Sequence, residues 1–157
     1  MNTKKEFDSF GYDVLDVSAC FFKLAENGDN CDITHLKLQK LVYYAQGISL
    51  GRYKKKLFDD SLEAWRYGPV CKKIYKTYRH MSCKTIGEKD VEGSSEIVLK
   101  DELAKKVLAD VWEAFGRLSG NELEELSHQE KPWQVARRAG NNAILSDESM
   151  CSYFGER

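Results

Sequence analysis

Apolar positions along the chain recur mainly at helical spacing. Over residues 13–27, Val14, Val17, Phe21 and Leu24 share one face, Asp13 suits the N-cap and Asn27-Gly28 the stop. Over 34–50, with Thr34 as N-cap and Ile33 stapling onto Leu38, two apolar lines appear. Leu38, Leu41, Val42, Ala45 and Ile48 form one, and Leu36, Tyr43 and Leu50 form a second on nearly the opposite side. A helix apolar on two sides is central in a bundle. Gly47 beside the second line predicts close approach of another helix, and Gly51 is the predicted end.

Residues 52–56 read as a basic turn, and 57–67 as a strand-like entry with a short helical turn. Gly68-Pro69 predicts the opening of a third helix, with Pro69 in its first turn and Val70, Ile74, Tyr78 and Met81 on its apolar face. Thr85-Ile86 and 96–99 are β-prone pieces around a Gly/Ser/acid loop, suggesting a small hairpin or an exposed loop. Asp101 then caps a long helix to Ser119 with Leu103, Val107, Val111, Phe115 and Leu118 inside. Asn121 and Glu124 resemble a capping pair for a short helix ended by Lys131-Pro132, with another turn of helix over 133–138. A terminal helix carries Met150, Tyr153 and Phe154. The expected fold is mostly α: a single compact multi-helix domain over 1–157 with at most a small β-hairpin.

Composition supports a globular chain. Its 157 residues are 42% hydrophobic and 31% charged, with 24 basic against 25 acidic side chains and a net charge of −1. That balance excludes intrinsic disorder and argues against a dedicated nucleic-acid arm. The start MNTKKEFDSFGYD has no apolar core and is not a signal peptide. No stretch approaches the ~18 apolar residues of a membrane span. Five scattered cysteines (Cys20, Cys31, Cys71, Cys83, Cys151) read as free thiols in a reducing cytoplasm.

No phosphate loop, HExxH or GxSxG occurs, so no catalytic residue and no cofactor is assigned. His80, Cys83 and Cys71 lack a fourth ligand at zinc-site spacing, so no metal is assigned either. Ser127 and His128 are adjacent, and neighbours on a helix do not aim at each other. Residues 66–84 hold six basic side chains and no acid, and Lys72, Lys73, Lys76 and Arg79 are candidate phosphate contacts. Residues 101–130 carry 8 acids against 3 bases and are available to face that helix internally. Tyr43-Tyr44, the stretch 65–69 and Pro132-Trp133 form an aromatic set of interface-type residues, equally at home in a core.

The strings LKLQKLVYYAQ at 36–46, EAWRYGPV at 63–70 and LSHQEKPW at 126–133 together resemble the Panacea-domain family, also called SocA- or GepA-like. The resemblance spans about 33–133. It implies a small α-helical antitoxin domain, found in bacterial toxin–antitoxin operons and in phages, that binds and neutralises a cognate toxin directly. At least one branch of the family delivers its toxin to a protease as an adaptor. Nucleic-acid binding through the basic helix at 70–81 stands as an alternative from another class. Neither a membrane partner nor catalysis is implied. In this reading Lys37 and Lys40 lie on polar sectors of the motif helix, Tyr43 joins the core and Tyr44 sits at its flank. The candidate partner-binding residues are Lys37, Tyr44, Trp65, Arg66, Tyr67 and Trp133, with His128 and Glu130 on a loop that meets the same turn.

Overall fold

The computed structural model describes residues 6–28 and 32–155. The N-cap signals place the helices. Asp13 accepts from the Leu15 amide and opens α1 (Val14–Glu26), and Thr34 accepts from the Lys37 amide and opens α2 (His35–Tyr53). Asn27 ends α1, as its sequence predicts.

Helix α2 is the axis of the molecule. From Lys37 to Gly51 it is buried at every position except Ile48, on all sides rather than two. It packs most extensively against α8 (Asp147–Gly155). A Cβ on Gly47 would lie 2.2 Å from the Phe154 ring, and one on Gly51 2.6 Å from the Phe154 backbone. The close approach predicted at Gly47 is thus present. Gly51 does not end α2; it continues the same contact one turn later, and the helix stops at Lys54 in a left-handed conformation (φ 55).

The next elements correct the expected third helix. Lys55–Lys56 form β2, parallel to β1 (Asp8–Ser9), and β3 (Leu62–Trp65) pairs antiparallel with β4 (Gly68–Cys71). Arg66 and Tyr67 are the two turn residues, and Gly68 has φ +103, which explains the glycine. Pro69 lies opposite Ala64, whose own backbone groups bond to Asn142 and Ala143 on the other side. Pro69 therefore faces a non-hydrogen-bonded position and its missing N–H costs the ladder nothing. Helix α3 (Lys72–Tyr78) starts only after Cys71, with Ile74 and Tyr78 buried.

The β-prone piece at 96–99 is instead a helical turn, α4 (Glu96–Leu99), while Thr85 makes a single bridge to Thr34. Asp101 caps α5 (Glu102–Phe115), burying Val107, Leu108 and Val111 but leaving Leu103 46% exposed. The helix ends before Ser119 because Ser119 caps α6 (Gly120–His128) in a reciprocal box with Glu122, not Asn121 with Glu124. Helix α7 (Lys131–Ala139) carries Pro132 in its first turn. The expected fold class is the one observed: mostly α, with two very small sheets among the described residues. No helix among them is long and apolar enough to cross a membrane. Cys20, Cys71 and Cys151 are buried free thiols and Cys83 an exposed one; Cys31 lies outside the described residues.

Candidate partner-binding site

Three sequence strings converge on one structural unit, and a buried carboxylate ties the first to the third. Glu130 is 2% exposed, and its carboxylate accepts from Tyr43 Oη at 2.9 Å and Tyr44 Oη at 3.1 Å. A buried charge needs such donors, and hydrogen bonds to charged groups contribute about 1.5–3 kcal/mol each. Burial and the Glu130 charge push the Tyr43 hydroxyl well above its ordinary pKa. Tyr44 is fully buried and stacks on Phe115 at 4.0 Å. Its expected place at the flank of the helix is corrected, because α5 and α8 enclose α2 on that side.

Both lysines of the α2 motif are also buried, not placed on open polar sectors. Lys37 Nζ donates to the Gly116 carbonyl beyond the end of α5 and lies 5.4 Å from the Trp112 ring centroid. Lys40, with no exposed surface, donates to the Pro69 carbonyl at 3.0 Å. Burial lowers its pKa to about 7, partly opposed by the charge of Glu124. A Cβ on Gly68 would lie 2.7 Å from Lys40 Cε and 2.9 Å from Ser127 Oγ, so the turn glycine also makes room for the lysine. Lys37 and Tyr44 are therefore withdrawn from any surface a partner can touch.

The remaining four predicted residues do come together. Trp133 Nε1 donates to the Trp65 carbonyl at 2.9 Å, and His128 Nε2 to the neighbouring Arg66 carbonyl at 3.0 Å. The His128 and Trp133 rings are 4.3 Å apart. Trp65 packs edge-on against Tyr75 at 4.8 Å and donates its indole N–H to Glu63. Arg137 reaches the Ala64 carbonyl at 3.0 Å. Trp65 and Trp133 are half-buried; Arg66 is exposed and Tyr67 is 58% exposed, with the guanidinium 5.4 Å from its ring centroid. The result is a two-residue tip on a turn whose carbonyls are held from behind by α6 and α7. The contribution of Arg137 has no signal in the sequence, since it stands in no recognisable string.

Lys72, Lys73, Lys76 and Arg79 are exposed along α3 and its continuation. Lys73 pairs with Asp13 at 2.9 Å and Lys72 with Glu63 at 3.7 Å. These acids come from β3 and the α1 cap, not from the acidic segment 101–130.

A family model described as "Antitoxin SocA-like, Panacea domain" matches residues 38–134, which hold Glu130, the hairpin and both tryptophans of the site. The curated protein "Antitoxin SocA" of Caulobacter vibrioides (strain NA1000 / CB15N) is 31% identical over 122 residues, covering 72% of this chain and 65% of that protein. The chain thus spans less than two thirds of that relative's length. No solved structure matches. The chain belongs to the Antitoxin SocA-like, Panacea-domain family.

Proposed function

We propose that this protein is an antitoxin that neutralises a cognate toxin by binding it directly, and that Arg66 and Tyr67, flanked by Trp65 and Trp133, form part of the binding surface. The observation that carries the reading is the division of labour within the family span. Tyr43, Tyr44, Lys40, Ser127 and Glu130 are consumed internally, whereas Arg66 and Tyr67 are presented outward on a fixed turn. Arg and Tyr are residue types that anchor interfaces, and a braced tip loses little entropy on binding. Family membership supports the antitoxin role.

The test is co-expression with the product of the adjacent gene, followed by co-purification. A stoichiometric complex, with growth rescued only when the complex forms, is the expected result. Neutralisation at substoichiometric amounts without any complex overturns direct binding. Toxin that disappears only when a host protease is present identifies the adaptor mode instead.

A further inference from the structure

A short segment, 142–145, runs beside the hairpin, entered through Asn142 in a left-handed conformation (φ 61). On the far side of β3, Ala64 donates to the Ala143 carbonyl at 2.8 Å, Leu145 to the Leu62 carbonyl at 2.8 Å and Asn142 to the Ala64 carbonyl at 3.0 Å. Glu63 and Ile144 form the antiparallel bridge between them. The order across the sheet is β4, β3, then 142–145. In this pairing the Ala143 carbonyl and Leu145 amide face β3, so the N–H and C=O of Ile144 face outward. Neither has a partner among the described residues, and Ile144 is 62% exposed. It is an open sheet edge carrying an exposed β-branched side chain, the arrangement that accepts an added strand.

A single open residue offers only two main-chain hydrogen bonds, so what lies beside it decides the occupant. A groove of about 400 Å³ begins at Ile144 and is lined by Asp59, Asp60 and Asp147, with Lys56 as the cation among its lining residues. Lys56 stands 3.9 Å from Asp59 and 3.7 Å from Asp147; with Asp60 the lining sets three aspartates against one ammonium, and the groove stays negative. That charge selects a basic segment.

We propose that the Ile144 edge and this acidic groove take an extended, Lys/Arg-bearing segment of a partner polypeptide, added antiparallel to 143–145 as a further strand. One residue of the segment exchanges both main-chain bonds with Ile144. Its neighbours along the strand carry cations to Asp59, Asp60 and Asp147. The surface sits at the open end of the hairpin, away from the Arg66 and Tyr67 turn, and so does not depend on the toxin-binding reading.

Fluorescence anisotropy on the full chain, with a labelled peptide of alternating Lys and Val, tests this. Saturable binding is expected. N-methylation of one alternate set of peptide amides is expected to weaken it at least about tenfold, while methylation of the other set leaves it intact, because only one edge of the added strand bonds to Ile144. Combined Asp59→Asn, Asp60→Asn and Asp147→Asn substitution is expected to cost a similar factor, and Ile144→Pro to abolish the donor. Arg66→Ala leaves binding unchanged. The peptide arm decides even where Ile144→Pro fails to fold. Equal binding by both methylated peptides indicates plain charge attraction and overturns the proposal, as does absence of saturable binding up to roughly 1 mM.

Discussion

The indole N–H of Trp133 donates to the main-chain carbonyl of Trp65 at 2.9 Å, joining residues 68 positions apart across the hairpin. Trp133 is thereby half core and half scaffold: its ring packs against the core while its N–H fixes the turn through the Trp65 carbonyl. Family strings separated by the whole of α3, α4 and α5 meet through that bond. Exposed side chains on the turn are then separable from the residues that hold it.

That separation gives the first prediction. Arg66→Ala and Tyr67→Ala remove exposed groups, so each should shift folding stability by no more than about 0.5 kcal/mol. Each should weaken toxin binding by about 2 kcal/mol or more if the tip is an anchor. Trp133→Phe keeps a ring but deletes the hydrogen bond and should cost about 0.5–1.5 kcal/mol of stability. Urea denaturation and calorimetric titration of the same variants read both quantities. Full affinity in both tip variants would move the toxin site elsewhere.

Glu130 supplies the second. Replacing it with Ala removes the buried carboxylate that accepts from the Tyr43 and Tyr44 hydroxyls. Hydrogen bonds to a charged group contribute about 1.5–3 kcal/mol each, so Glu130→Ala should unfold at markedly lower urea. Tyr44→Phe leaves the carboxylate with Tyr43 and should cost less. A double-mutant cycle between Tyr44→Phe and Glu130→Gln measures the coupling; additive effects would show that the carboxylate and hydroxyl do not interact.

The sequence carries the local signals well, and the caps show why. Asp13, Thr34 and Asp101 each accept from an amide two or three residues on, a contact written entirely within a few positions. Gly51 and Pro69 mislead because their roles are tertiary. Gly51 admits Phe154 from the far end of the chain, and Pro69 sits where β3 has turned its hydrogen bonds toward 142–145. The same holds for the site. Tyr44, Lys37 and Lys40 look available on a helical wheel, yet α5, α8 and β4 close over those sectors and give the lysines carbonyl partners. Trp65, Arg66, Tyr67 and Trp133 are legible as a group because a tight turn keeps three of them together and an indole needs a polar partner.

Lys40 yields a pH prediction. Its folded pKa is lowered to about 7 from an unfolded 10.5, so between those values the unfolded chain binds the extra proton. Stability then rises with pH through this window, at most about 1.4 kcal/mol per pH unit for one group. Buried thiols oppose it at higher pH. Cys20, raised from 9.0 to about 12, keeps its proton when folded and loses it when unfolded. The rise should therefore be clearest between about pH 7 and 9, and Lys40→Met should flatten it. Urea midpoints across that range decide the matter; a wild-type profile already flat there, or falling, would refute a neutralising Lys40.

The turn glycine gives the last prediction. Gly68 has φ +103, and a Cβ there would meet Lys40 Cε at 2.7 Å and Ser127 Oγ at 2.9 Å. Gly68→Ala thus combines a backbone conformation that L residues avoid with intrusion into the space around a buried lysine. Overpacking of this kind costs about 1–3 kcal/mol, and the left-handed backbone adds to it. Gly140 is the matched control: a Cβ added there would meet nothing within 4 Å, so Gly140→Ala should be nearly neutral. Because Gly68 directly follows Arg66 and Tyr67, its substitution should also lower partner affinity beyond the loss in stability, measured at a temperature where the variant is fully folded. A Gly68→Ala protein that keeps both stability and affinity would mean that the turn relaxes freely, and that bracing by His128 and Trp133 is not what presents its tip.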